Sequence, residues 1–290
     1  MKGKAEAISY GAATIINAIA TGKGVAIGVD LWTRVRVKLT DEPKVIESTI
    51  FSDPTENPVL IEKTVEKVIK HFKLEGRFGA KVETWSNIPI ARGLKSSSVA
   101  GNAVALATVA ALDKKLDDLT IVNLGVDGAI DAKVTITGAF DDACASYFGG
   151  VVATDNLKRR IVRRTEIAKD LVVLFYVPAK KTYTVGSNVG RMKRVASLVK
   201  IAYKEAVKGN YWVALTLNGL IYSSALGYNP SVAVDALAAG ALAAGLSGTG
   251  PAVTAIVPEE KTDFVKDTWQ MYEGKILEAR VNLEKAKVMG

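Results

Sequence analysis

Residues 89–112 read Pro-Ile-Ala-Arg-Gly-Leu-Lys-Ser-Ser-Ser-Val-Ala-Gly-Asn-Ala-Val-Ala-Leu-Ala-Thr-Val-Ala-Ala-Leu, a glycine-and-serine turn running straight into an apolar helix. Pro89 and Gly93 break whatever precedes them, and Ser96, Ser97 and Ser98 are natural N-caps. The opening N–H groups of such a helix, with the positive end of its dipole, make an anion site. Three hydroxyls lie there, and one could reach a metal. Alanine and valine cover nearly every face of the helix behind, which predicts burial and a rigid loop. The same residues also fit an ordinary capped, buried helix, so the segment by itself leaves both readings open. It is neither of the two commonest nucleotide loops. Gly-Lys occurs at 3–4, 22–23 and 274–275, but none of the pairs has a glycine five residues earlier or a Ser/Thr after it. No Gly-x-Gly-x-x-Gly follows a strand near the N-terminus either.

Working outward, 290 residues exceed a comfortable single core and predict two lobes, with 49% hydrophobic residues to fill them. The first ten residues lack a signal-peptide pattern, which sets the expectation of a cytoplasmic protein. The most apolar stretch, Ala236 to Leu246, is too short to span a bilayer. Cys144 is the single cysteine and His71 the single histidine. An internal disulfide and a cysteine-built zinc site are therefore excluded, and Ser–His or Cys–His catalysis nearly so. His71 falls on a polar-faced helix and reads as a surface residue. Any catalysis must use carboxylates, lysines, hydroxyls and metal.

Net charge is +8 and the pI about 9.3, a balance that fits nucleic acid or an anionic small molecule. The densest basic run, Lys158 to Arg164, has an Ile-Val centre and reads as an exposed edge strand whose charge blocks unwanted pairing. No aromatic residues are interleaved with it, as a stacking platform for single strands would need.

Periodicity predicts strands over 24–39, 45–51, 79–84, 151–153, 171–178 and 252–257, the fifth fully apolar and so central. Helices are predicted over 59–72, 119–133, 139–147, 189–207, 211–226 and 231–244. The lobe boundary falls near 150–160, with an extensive shared interface, since no low-complexity linker separates the halves.

Two further stretches carry chemistry. Thr137 to Gly150 places Asp141 and Asp142 just after a turn glycine and closes on paired glycines. Adjacent carboxylates at a helix start point about 100° apart, so one usually faces a given site; acids there also simply complement the dipole. Ser247-Gly248-Thr249-Gly250 is a second cradle in which glycine admits a close ligand, although it also fits a tight turn before a strand.

In this order and spacing, the three stretches resemble the motifs of the GHMP kinases, across essentially the whole chain. The first motif, a small-residue turn into a strand, looks like 9–17 with 24–31. The second, Pro-x-x-x-Gly-Leu-Gly-Ser-Ser, matches 89–97, and the third matches 246–251. Within that family the chain is most similar to the archaeal shikimate kinases, through 11–18, 93–98, 137–150, 217–223 and 240–252. The resemblance implies an α+β, two-lobed fold: a lobe like the second domain of ribosomal protein S5 over 1–155, and a ferredoxin-like lobe over 156–290. It implies ATP-dependent phosphorylation of the 3-hydroxyl of shikimate, within chorismate and aromatic amino acid biosynthesis.

Carried over residue by residue, Pro89, Ala91, Arg92, Gly93, Leu94, Lys95, Ser96, Ser97 and Ser98 would wrap the phosphates of ATP. Asn57, from an adenine-side loop over 52–58, and Gly248 and Gly250 would join them. The Ser97 hydroxyl would hold Mg²⁺, with Asp131, ten residues before Asp141, as its partner ligand. Asp141 matches the catalytic position, with Asp142 the reserve because a mevalonate-kinase register slips by one. Thr14, Asn17 and Asp30 would read substrate hydroxyls, and Lys180 and Arg191 its carboxylate. Lys95 departs from the family's middle glycine but occurs in the archaeal subgroup. No lysine matches the Pro-Gly-Lys lysine of the mevalonate kinases. The implied partners are small molecules only, with neither nucleic acid nor membrane, and both monomer and homodimer stay open. A homoserine kinase is the nearer rival reading, and a basic nucleic-acid-binding module the farther one.

Overall fold

The computed structural model describes residues 3–89, 93–167, 170–178 and 188–290. The chain opens with two long antiparallel strands, β1 (Lys4–Ile16) and β2 (Lys23–Thr40), joined by a short helical turn over Ala18–Ala20. Eighteen residues let β2 serve as a spine: its first part pairs with β5 (Val151–Asp155) and its second with β4 (Gly79–Ser86). β3 (Ile46–Ile50) runs parallel to β4, connected through helix α1 (Val59–His71). β6 (Arg160–Thr165) pairs with β5, and β11 (Lys287–Met289) returns to β1. The basic run is thus an edge strand, as its composition predicts. This first sheet therefore extends past residue 155 and takes back the end of the chain.

Helices α2 (Ser96–Ala111), α3 (Asp118–Asp131) and α4 (Phe140–Phe148) pack with α1 over this sheet. Twelve of the sixteen residues of α2 are buried, because it lies under α1, α3 and α4 and over β1 and β2. Small residues make that possible: Gly101 of α2 meets Gly125 of α3 backbone to backbone. The loop at the N-terminus of α2 is thereby mounted on one of the most enclosed elements of the protein.

The second sheet, in the order β10 (Gly274–Arg280), β7 (Leu171–Pro178), β9 (Val253–Pro258), β8 (Ala243–Leu246), is antiparallel throughout. β7 is apolar at every position because both of its faces are covered. Val173, Phe175 and Val177 enter one core with α6 (Ala196–Lys208) and α7 (Tyr211–Leu226). Val172, Leu174 and Tyr176 enter another with α8 (Ser231–Ala238) and α9 (Thr262–Trp269). The first of these cores also contains Ile15, Ile16, Ile27 and Val29 of β1 and β2, so one apolar mass joins the two sheets.

Three predicted elements differ. The helix expected over 189–207 is two helices, α5 (Val189–Arg194) and α6, hinged at Val195 (φ −99°, ψ 12°). Fully buried Met192 ties α5 into the core that α6 enters through Val199 and Ala202, so packing overrides a continuous helical pattern. The alanine-rich run over 231–244 is helical only to Ala238. Gly240, at φ 105°, lies just past the Ala239 cap and ends the helix, and residues 243–246 form β8. Its Gly245 packs against Gly219 of α7 so closely that a Cβ on either would strike backbone. Residues 9–17, read as a turn, are mostly the end of β1, and the turn begins at Asn17.

Candidate active site

The ends of these elements surround one cleft of about 1390 Å³, including its open mouth. Its walls include Thr14 near the end of β1 and Asn17 to Ile19 in the turn after it, the Ser52–Asn57 loop before α1, Gly93–Ser98, residues 134–142 before and within α4, and Gly248 and Thr249. Three glycine-bearing stretches that lie far apart in sequence therefore meet here.

Lys95 caps α2 with φ 63°, ψ 20°, and no side chain from that position caps the helix. A non-glycine residue in this region costs about 1–2 kcal/mol, and such strain persists where the surroundings over-determine it. The Lys95 side chain lines the cleft, and its ammonium is paired there. It reaches Asp142 Oδ2 at 3.1 Å, and both side chains are nearly enclosed. A Cβ on Gly248 would lie 2.5 Å from Lys95 Nζ, so the glycine, itself at φ 61°, makes the lysine's slot. The Ser247 hydroxyl donates to the Gly93 carbonyl at 2.9 Å and ties the third stretch to the second. Gly250 stands behind: its carbonyl faces the position a Cβ on Gly93 would take.

α4 opens on Ala139, also left-handed at φ 48°, and carries the two carboxylates inward. Asp141 is 3% exposed and Asp142 6%. Asn156 Nδ2 donates to Asp141 Oδ1 at 2.8 Å, and a Cβ on Gly24 would collide with the Asp141 carboxylate. Burial first, and the charge of Asp142 second, push the Asp141 carboxyl up to about 7, against the pull of Asn156 and Lys95. Asp142 Oδ1 and Thr14 Oγ1 are buried with no hydrogen-bond partner among the described residues, and both residues line the cleft. Orphaned polar atoms in a cleft are what a bound polar ligand would satisfy.

The first stretch is wired to α7. Asn17 donates through its side chain to the Gly248 carbonyl at 2.8 Å, and its backbone N–H donates to Asn218 Oδ1 at 3.1 Å. The Tyr222 hydroxyl donates to the Asn17 carbonyl and accepts from the Ala20 N–H. Asn102 of α2 donates to the Ala143 carbonyl at 2.8 Å and to Ser146 Oγ at 3.1 Å, locking α4 to α2.

Of the residues singled out in the sequence, Thr14, Asn17, Asn57, Gly93 to Ser98, Asp141, Asp142 and Gly248 line the cleft. Asp30 does not: it is exposed on β2 and accepts from the Arg280 N–H at 2.7 Å. Asp131 closes α3 and pairs with Lys67 at 2.7 Å, half-exposed and away from the cleft lining. Among the described residues no cluster of three or more His, Cys, Asp or Glu forms a metal cage. Arg191 is exposed on α5, which packs against the 18–20 turn. Pro89 is outside the lining, and Ala91, Arg92 and Lys180 lie outside the described residues. Asn102, Asn156, Asn218 and Tyr222 were not expected. Asn102 and Asn218 leave a signal, since a lone amide in an apolar helix needs a partner.

The comparisons agree with this geometry. Residues 60–150 match the model of the GHMP kinases N terminal domain. The chain is 44% identical over 278 residues to a shikimate kinase of Methanosarcina mazei, covering 95% of this chain and 94% of that one. It is 46% identical over 278 residues to a shikimate kinase of Methanosarcina acetivorans, covering 95% and 93%. The fold also superposes on a Lactococcus lactis galactokinase complexed with galactose, at a TM-score of 0.77 and 15% identity, over 99% of this chain and 95% of that chain. With the motif-bearing loops converging on one cleft and these relatives matched over nearly their full length, the chain belongs to the GHMP kinases, in the same family as those archaeal shikimate kinases.

Proposed function

We propose that the protein transfers the γ-phosphoryl group of ATP to the 3-hydroxyl of shikimate, giving shikimate 3-phosphate and ADP. The observation that carries the phosphoryl-transfer reading is the Lys95–Asp142 pair, set between the helix-terminal loop and the Gly248 turn. Such chemistry needs two anions held together, charge neutralised and a hydroxyl aimed in line. Gly93 to Ser98 supply backbone N–H groups and the α2 dipole to the phosphates, and Lys95 supplies a cation. The new bond joins the substrate oxygen to the γ-phosphorus as the bond to the bridging oxygen breaks, and the hydroxyl proton leaves to a carboxylate.

Asp142 is our choice for that carboxylate over Asp141. It meets the lysine of the phosphate-side loop and keeps a buried oxygen with no hydrogen-bond partner among the described residues, whereas Asp141 is engaged by Asn156. Thr14 and Asn17 face the acceptor, and Arg191 and Lys180 remain the proposed partners of its carboxylate. Mg²⁺ takes hard oxygen donors and is commonly held by one or two protein oxygens plus phosphates and water. The Ser97 hydroxyl, at the cleft wall, fits that donor type, and the ion would supply neutralisation of the triphosphate. We propose the two lobes as 1–155 and 156–290, with β6 and β11 contributed to the first sheet. A coupled ADP-release assay with shikimate, homoserine and mevalonate as acceptors tests the reading. Release selective for shikimate and dependent on Mg²⁺ is expected, and equal rates with homoserine would overturn the acceptor assignment.

A further inference from the structure

We propose that Asn156, held by Thr154, is a positioning residue that fixes Asp141 behind Asp142 and so keeps the carboxylate pair competent to take the acceptor's proton. The inference rests on the reading of Asp142 as the proton acceptor. It starts from a chain of buried contacts that no motif of the sequence announces. Thr154, on β5 and fully buried, places its hydroxyl 2.6 Å from Asn156 Oδ1. Asn156, 5% exposed in the turn after β5, has its backbone N–H bonded to the Gly22 carbonyl at 2.8 Å. Its side-chain amide then reaches Asp141 Oδ1 at 2.8 Å. The orientation of that amide follows from its partners: a hydroxyl donor demands the carbonyl oxygen on one side, and a carboxylate demands the NH₂ on the other.

The remaining space is shaped for this arrangement. Gly24, opposite Thr154 in the β2–β5 pairing, leaves the volume that the Asp141 carboxylate fills. Around Asp141 stand Asp142 on its own helix, Lys95 from the loop, the Cys144 thiol and the Tyr222 hydroxyl of α7. Among these Lys95 is the one cation, and it is already paired to Asp142. Asn156 is therefore the neutral donor that lets a second buried carboxylate ionise beside the first. Burial lifts the Asp141 carboxyl to about 7 and the Asn156 hydrogen bond opposes that rise. When Asp141 is ionised, it places a second negative charge beside the Lys95–Asp142 pair. The Asn156 donor on Asp141 therefore governs the pH at which that charge stands next to the carboxylate that takes the proton.

The test is a pair of titrations on Asn156→Leu, which keeps the branched outline of the side chain and removes the donor. The infrared band of the neutral carboxyl, identified by its loss in Asp141→Asn, should titrate about one pH unit higher than in the parent protein. The inflection of kcat/KM near neutral pH should move with it. At pH 7 this lowers kcat/KM roughly fivefold, as the ionised fraction falls from about a half to about a tenth. Thr154→Val, which touches no carboxylate, should move both midpoints the same way by less, and Thr154→Ser, which keeps the hydroxyl, should leave them in place. Thr154→Val also keeps the test alive if Asn156→Leu fails to fold. An unmoved infrared midpoint in either folded variant overturns the proposal, as does a moved midpoint with an unmoved pH profile. Failure of the underlying reading is seen separately, as full turnover in Asp142→Asn.

Discussion

At the residue scale, the division of labour between two adjacent aspartates is the sharpest claim. Asp142 pairs with Lys95 and carries a buried oxygen with no hydrogen-bond partner among the described residues, while Asp141 is held by Asn156. Loss of a general base typically costs 10²–10⁴-fold in turnover. Asp142→Asn should therefore lower kcat at least about 100-fold with a smaller change in KM, and Asp141→Asn should cost clearly less. Steady-state kinetics of the two variants settles the order, and the reverse ranking restores Asp141 as first choice. Asp141 also carries a stability signature. Its folded carboxyl holds a proton from the ordinary carboxylate range up to about 7, a window in which the unfolded chain has released it. Folding then binds the extra proton, so stability falls as pH rises through that window. Asp141→Asn removes the penalty. Its Tm should exceed that of the parent by several degrees at pH 8, within an upper bound of about 4 kcal/mol, and the gain should vanish near pH 4. A gain independent of pH in thermal unfolding would contradict the buried, late-titrating carboxyl.

At the scale of elements, α7 explains why an apolar helix carries Asn218 and Tyr222. It lies against β8 through the Gly219–Gly245 approach and from there fixes the 17–20 turn that contributes Asn17 to the cleft. Tyr222→Phe removes two hydrogen bonds to that turn and keeps the packing. We expect KM for the acceptor to rise about threefold to tenfold, as a net loss of about 1 kcal/mol predicts, with kcat and KM for ATP nearly unchanged. A uniform fall in kcat would place Tyr222 elsewhere in the cycle. The legibility of the sequence follows from the same elements. The loop at 93–98 and the carboxylates at 141–142 were readable because glycines, serines and paired acids are local signals, and the fully apolar β7 announced its burial. The break at Val195 and the strand at 243–246 were not readable. Both depend on what lies across the core, Met192 in one case and Gly219 in the other. Asp131 fell on a plausible spacing, yet its helix turns it toward Lys67. Nor could spacing reveal Lys95 beside Asp142, since that pairing needs α2 and α4 to be docked first.

At the scale of the whole molecule, the cleft is built from both lobes, so its geometry is only as firm as the joint between them. That joint is a core rather than a linker. Ile15, Ile16, Ile27 and Val29 of the first sheet share one buried cluster with Val173, Phe175, Tyr222 and Leu246 of the second lobe. Each such aliphatic or aromatic side chain contributes about 1.5–3 kcal/mol when fully buried, so separating the lobes would expose several at once. β11 adds a covalent return, since the chain's end pairs with β1 after passing through the second sheet. We therefore expect the two lobes to unfold together. Far-ultraviolet circular dichroism and tryptophan fluorescence should give coincident denaturant transitions, because Trp32 and Trp85 lie on the first sheet while Trp212 and Trp269 lie on helices of the second lobe. Single-tryptophan variants reporting separate midpoints would show that the lobes are independently stable, and that the cleft is assembled by docking rather than by a common core. Saturating ATP and shikimate should raise the single midpoint without splitting it, through a gain in unfolding free energy of about 2.7 kcal/mol for a ligand at a hundredfold its Kd.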